Sequence, residues 1–134
     1  MNLFPGLTRF QHLFRFDYEY RDPRRLRSWR AGSDGIRILL QGVEKEFLPW
    51  SAVAEVVTFK RDLGDTDQVC LGFRRSGSGA YAVLEEDNPT WPEVLAATEA
   101  HFPLPEGWLA QVAEPPYACN WTTLWGEPPV QSEP

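Results

Sequence analysis

A chain of 134 residues with 43% hydrophobic and 24% charged residues has the composition of one ordinary globular domain, large enough to bury a core without staples. Its formal net charge of −6 opposes non-specific attachment to nucleic acid or to an anionic membrane, since both reward cations. No stretch approaches the roughly 18 apolar residues of a membrane span, so membrane insertion is not expected.

Aromatic residues make up 13% of the chain, with six Trp and eight Phe, which predicts an interior dominated by ring packing. Arg, Pro and Trp usage, with two Lys among thirteen cationic residues, reads as the product of a GC-rich bacterial genome. The N-terminal stretch is broken by Pro5, Gly6, Arg9, His12 and Arg15 and lacks the apolar segment of a signal peptide. With no secretion signal, Cys70 and Cys119 are expected as reduced, partly buried thiols, and the location as cytoplasmic.

In chain order, residues 12–20 alternate, with Phe14, Phe16, Tyr18 and Tyr20 on one side and Leu13, Arg15, Asp17 and Glu19 on the other, the pattern of a half-buried strand. Asp22-Pro23 ends it. The decapeptide 21–30 carries five Arg against one Asp, leaving −10 for the rest of the chain. The part "RRLRSWR" fits either a short strand or an irregular connection.

Gly32–Gly35 is a turn, and "IRILL" (36–40) puts Ile36, Ile38 and Leu40 on one side. Gln41-Gly42 turns the chain into "VEKEFL" (43–48), which Pro49-Trp50-Ser51 ends. "VAEVVTFK" (53–60) and "QVCLGFRR" (68–75) flank an acidic loop. Ser76–Gly79 is a turn before "AYAVLEE" (80–86). Connections this short make antiparallel hairpins.

The period changes at residue 90. Thr90-Trp91-Pro92-Glu93 has the form of a capping box, and Trp91, Val94, Leu95, Thr98 and Phe102 recur at helical spacing until Pro103. This helix is expected to seal the apolar face of the pleated segments. A short helical piece near 106–113, a break at Pro115-Pro116 and an extended segment docked on the domain should follow. The domain is taken as 1–125, with 126–134 a disordered Pro-rich tail.

Several short antiparallel strands followed by one capped helix resemble a pleckstrin-homology-like fold, in which a C-terminal helix plugs one end of a curled sheet. The entry Trp50-x-x-Val53-x-x-Val56 is similar to one seen in bacterial relatives of that superfold. The wider pattern, Phe59-Lys60-x-Asp62, Asp67, Cys70, Phe73, Glu85-Glu86 and Trp91, is similar to small uncharacterised bacterial proteins. The resemblance covers roughly residues 12–125. It implies an α+β fold: a curled antiparallel sheet or partly open barrel of about seven strands with a C-terminal amphipathic helix. The membrane-lipid role of some such domains needs basic strand loops. Here the loops are acidic and the basic cluster precedes the hairpins.

The residues that carry chemistry are few. Asp62, Asp65 and Asp67 offer clustered oxygens for a hard cation, but the spacing fits no EF-hand loop and a solvated turn explains them equally. No metal or other cofactor is expected. Glu85, Glu86 and Asp87 precede a helix start, where negative charge suits the helix dipole. His12 and His101 lack local Asp, Cys or Ser partners, and no phosphate loop, nucleophile elbow or zinc motif occurs. No catalytic residue is therefore expected. Arg21, Arg24, Arg25, Arg27 and Arg30, with Trp29 among them, form a candidate docking patch for an acidic partner or anionic ligand, because guanidinium forks bind carboxylate and phosphate bidentately. Pairing with the chain's own carboxylates is the competing reading. The expected function is a non-enzymatic protein-binding module of a bacterial cytosol, in concrete form an immunity-type neutraliser of a toxin or effector. The alternative is a small-molecule or anion-binding barrel with a sheet-lined pocket. Strand 43–48 could pair a dimer as an edge strand.

Overall fold

The computed structural model describes residues 27–64, 66–116 and 118–129. The expected strand 12–20, His12, Arg21, Arg24, Arg25, Asp65 and most of the expected tail lie outside them. Among the described residues the order is β1 (Arg27–Ala31), β2 (Gly35–Leu40), β3 (Val43–Pro49), a helical turn (Trp50–Ala52), β4 (Val53–Asp62), β5 (Asp67–Arg75) and β6 (Tyr81–Glu85). Helices α1 (Trp91–His101) and α2 (Trp108–Ala113) and strand β7 (Thr122–Gly126) complete it.

The fold is α+β and mostly sheet. The strands form two antiparallel sheets, one ordered β1-β2-β3 and one ordered β6-β5-β4-β7, and they do not close into a barrel. This corrects the expectation of one curled sheet. The chain leaves the first sheet through the Trp50–Ala52 turn and begins the second at Val53, so the two hairpin systems pack face to face instead of continuing edge to edge.

Hairpin boundaries follow local chemistry. Gln41 and Gly42 have φ of 53° and 80°, the doubly positive pair that matches the twist of a two-residue hairpin turn. Tyr81 to Glu85 pair in unbroken register with Arg74 to Cys70. The "RRLRSWR" ambiguity resolves in part: Arg27 to Ala31 pair with Leu40 to Ile36 as β1.

One core lies between the sheets and α1. Ile36, Ile38 and Leu48 of the first sheet meet Val56, Leu71, Phe73 and Leu84 of the second, with Trp91, Val94 and Phe102 closing the side. The helical stripe read from the sequence is the buried one, apart from Leu95, which is half-buried. Its expected capping box does not form. Thr90 Oγ1 donates to Asn88 Oδ1 at 2.9 Å, and Glu93 Oε2 accepts the Ala31 amide at 2.9 Å, so the glutamate ends β1 rather than starting α1. A tertiary donor has outcompeted the local one.

The second sheet is buried on both faces. Its outer face holds Val57, Phe59, Cys70, Tyr81 and Val83, with Trp121 stacked on Phe59 at 5.3 Å between ring centroids. Strand β7 lies along β4, pairing Glu55 with Gly126 and Thr58 with Thr122. Gly126, at φ 85°, is required there because a Cβ would sit 2.1 Å from the Ala54 carbonyl oxygen. Glu127 N donates to that same carbonyl, so the chain remains attached one residue past β7.

Candidate functional site

Of the sequence-derived patch, Arg27, Trp29 and Arg30 fall among the described residues. Arg30 is exposed and Arg27 is half-buried. Trp29 is 1% exposed, its ring 5.7 Å from Phe73 inside the core. Alternation along β1 sends Trp29 inward and Ser28 and Arg30 outward, so the indole offers no surface to a partner.

The acidic loop uses its described carboxylates locally. Asp62 Oδ1 accepts the Gly64 amide at 2.8 Å, the side-chain turn that aspartate favours, and Asp67 pairs with Lys60 Nζ at 3.2 Å. No group of three potential metal-ligating side chains occurs among the described residues. Glu85 and Glu86 have partners on the second sheet. Glu85 is ion-paired with Arg61, and Glu86 Oε1 accepts the Val69 amide at 2.9 Å. His101 sits in the last turn of α1, its ring stacked 4.2 Å from that of Trp50.

The charged groups of the second sheet form the densest polar cluster, one the sequence reading missed. Glu55 is 0% exposed, and its two oxygens accept from Arg74 Nε at 3.2 Å, from the Tyr81 hydroxyl and from Thr123 Oγ1 at 2.7 Å. The same Arg74 donates to the Ser78 carbonyl at 3.1 Å and the Glu127 carbonyl at 2.6 Å. On the inner side, Lys60 Nζ donates to the carbonyls of Ala113, at 2.8 Å, and Pro115. That places a cation at the C-terminus of α2, where the exposed carbonyls favour it. These groups fasten strands, turn and helix to one another. The signal that could have found them is β4 itself, apolar in both phases at Val56, Val57 and Phe59, as strands covered on both faces are.

A pocket of about 100 Å3 opens between the β3 edge and the β5–β6 hairpin. Leu48, Phe73, Ala80 and Ala82 supply apolar wall, and Glu46 and Arg75 supply charge. Arg75 Nη2 bridges the sheets by donating to the Phe47 carbonyl.

Two titrations have a clear local cause. The Arg37 guanidinium, bound to Asp34 through Nη2 at 2.8 Å, holds that carboxyl below the ordinary aspartate range. Its ionised form is therefore favoured by the fold. The contribution is present above the ordinary aspartate pKa and lost as pH falls through the lowered one. In Arg37→Gln the Asp34 titration midpoint, followed by carboxyl NMR, should rise toward that of an unpaired aspartate. Burial pushes the Cys119 thiol up, which disfavours the reactive thiolate.

No helix among the described residues is long and apolar enough to cross a membrane. Comparison with known proteins returns no matching family model, no matching curated protein and no matching solved structure.

Proposed function

We propose that this protein is a non-enzymatic module that binds a protein partner, in concrete form a bacterial cytosolic neutraliser of a toxin or effector. One observation carries the reading. The buried ionisable side chains Glu55, Lys60, Arg61, Arg74 and Glu85 are each held by hydrogen bonds or ion pairs inside the fold. A general acid or base must present a proton position to substrate, and a carboxylate that is 0% exposed and already accepts three donors, as Glu55 does, presents none to solvent. The chain is also electrically polarised. Residues 76–134 carry nine Asp and Glu and no Lys or Arg, while 21–30 carry the Arg cluster. Glu99, Glu106 and Glu114 of the helical side are exposed. Such a distribution orients an approaching macromolecule and selects against wrong ones.

The second reading, a sheet-lined site for a small molecule or anion, has Arg75 at the pocket in its favour. Size opposes it: about 100 Å3 is below the ~150 Å3 of a cavity that takes benzene and the ~300–1,000 Å3 of ordinary ligand sites. The pleckstrin-homology-like resemblance belongs with the proposal. Strands leading into α1 support it, while β7 after the helices and the split into two sheets depart from the pattern.

The test is native. Tagged protein returned to its own host should co-purify a partner in fixed stoichiometry, and Arg24→Glu with Arg25→Glu should abolish that capture if the cluster is the anchor. A melting shift given by a small anion, with no partner protein found, would favour the second reading instead.

A further inference from the structure

We infer, on the reading that the protein binds a partner protein, that the edge of β3 left unpaired among the described residues accepts an extended segment of that partner. One short branched aliphatic side chain of the segment seats in the pocket beside Leu48, Phe73 and Ala82. A cationic residue two places along lies against Glu46.

Three observations lead there. Strand β3 pairs with β2 on one side and, among the described residues, with no strand on the other. An open edge presents unpaired amides and carbonyls, and another strand is the occupant that satisfies them in series. Arg75 already stands in for such an occupant: its guanidinium donates to the Phe47 carbonyl across the gap.

The pocket lies directly under that edge. Glu46 and Leu48, two residues apart on β3, both line it. A strand added alongside would direct alternate side chains to the same face, one of them into the pocket. A volume of about 100 Å3, the room of roughly three waters, suits one aliphatic side chain and not a ring system. Glu46 supplies the charge complement, since it is half-buried at the pocket and has no ion-pair partner among the described residues.

The edge is also restricted. The register shift between Ile38 and Leu39 leaves Lys45 without a residue opposite, and Pro49 ends the strand without an amide hydrogen. Regular pairing is confined to Glu46–Leu48, too short for indiscriminate strand association. Selectivity then rests on the pocket and on Glu46.

The probe is an acetylated, amidated peptide, Thr-Lys-Thr-Val-Thr-Lys, titrated into the 15N-labelled full chain, with a control carrying Asp in place of Val. The Val peptide should shift the amides of 46–48 and 80–82, and the Asp peptide should bind roughly tenfold more weakly or worse. Ala80→Leu, which fills the half-exposed side of the pocket, should lose the shifts while the rest of its spectrum stays native. Glu46→Lys, at a half-exposed position, should weaken binding independently of packing. Equal binding of both peptides, absent shifts, or full binding by Ala80→Leu overturns the inference. So does concentration-dependent broadening confined to 43–48 without peptide, which would assign the edge to a second copy. Capture of the native partner by Ala80→Leu as well as by wild type removes the edge site and leaves the binding-module reading standing. Peptide binding with no partner ever co-purified does the reverse.

Discussion

Glu55→Ala is expected to lower the unfolding free energy by about 3–5 kcal/mol, on the order of 10–20 °C in Tm. The carboxylate is 0% exposed and is the common acceptor for Arg74, Tyr81 and Thr123. Truncating it takes the carboxylate acceptor from Arg74 Nε, the Tyr81 hydroxyl and Thr123 Oγ1 and leaves a buried guanidinium without its counter-charge. The stranded charge dominates the loss, because removing one member of a buried pair costs far more than the pair contributes. Tyr81→Phe, which removes one donor and leaves the ion pair intact, should cost about 1 kcal/mol. Combining Glu55→Ala with Arg74→Met should recover part of the loss, since no uncompensated charge then remains. Recovery should be incomplete, because Arg74 also holds the carbonyls of Ser78 and Glu127. Urea midpoints of the four proteins decide the matter. A Glu55→Ala protein within about 1 kcal/mol of wild type would show that the cluster is not the buried network its geometry describes.

This network explains why the fold was more readable than its polar interior. Strands β2 to β6 are bounded by turn chemistry that acts within a few residues, such as Gln41-Gly42 and Ser76–Gly79, and α1 by a stripe of its own side chains. Such signals are local and survive in the sequence. What could not be read there depends on partners distant along the chain. Glu93 begins like a capping residue and goes instead to Ala31, 62 positions away. Thr122–Gly126 is a short segment without alternation, and it becomes a strand because β4 has an open side to receive it. The split into two sheets is decided at Trp50–Ala52, where Trp50 Nε1 donates to the Gly32 carbonyl at 3.0 Å and fixes the crossing.

The candidate site suffers the same limit more severely. The Arg cluster stands out in composition, yet composition carries no phase. Placing Trp29 within that cluster required knowing which face of 27–31 turns inward, and five residues flanked by Arg do not reveal it. The pocket was invisible for a related reason. Its walls come from β3, β5 and β6, and neither Ala80 nor Ala82 has any chemical signature until Leu48 is brought opposite. Conversely, the acidic loop looked eventful in sequence because like charges crowd it, and its described members turn out to serve a turn and a lysine.

Trp29→Ala separates the two roles that its position had suggested. The indole is 1% exposed, packs against Phe73, and lies opposite Ile38 in the β1–β2 register. Loss of that volume from a core bounded by two sheets is expected to cost about 3–5 kcal/mol. Trp29 Nε1 is buried and has no hydrogen-bond partner among the described residues, so the ring carries an unmet donor there. Trp29→Phe removes that donor along with one ring, and the gain offsets part of the cavity. It should therefore cost less than Trp29→Ala, because the cavity it leaves is smaller. A partner anchor would behave differently: Ala would abolish capture at unchanged Tm, and Phe would be an intermediate binder. The expected pattern is a large fall in Tm for Ala, a smaller one for Phe, and capture by Phe equal to wild type. Reduced capture by a Phe variant of native stability would return Trp29 to the interface and would require β1 to turn its buried face outward on binding.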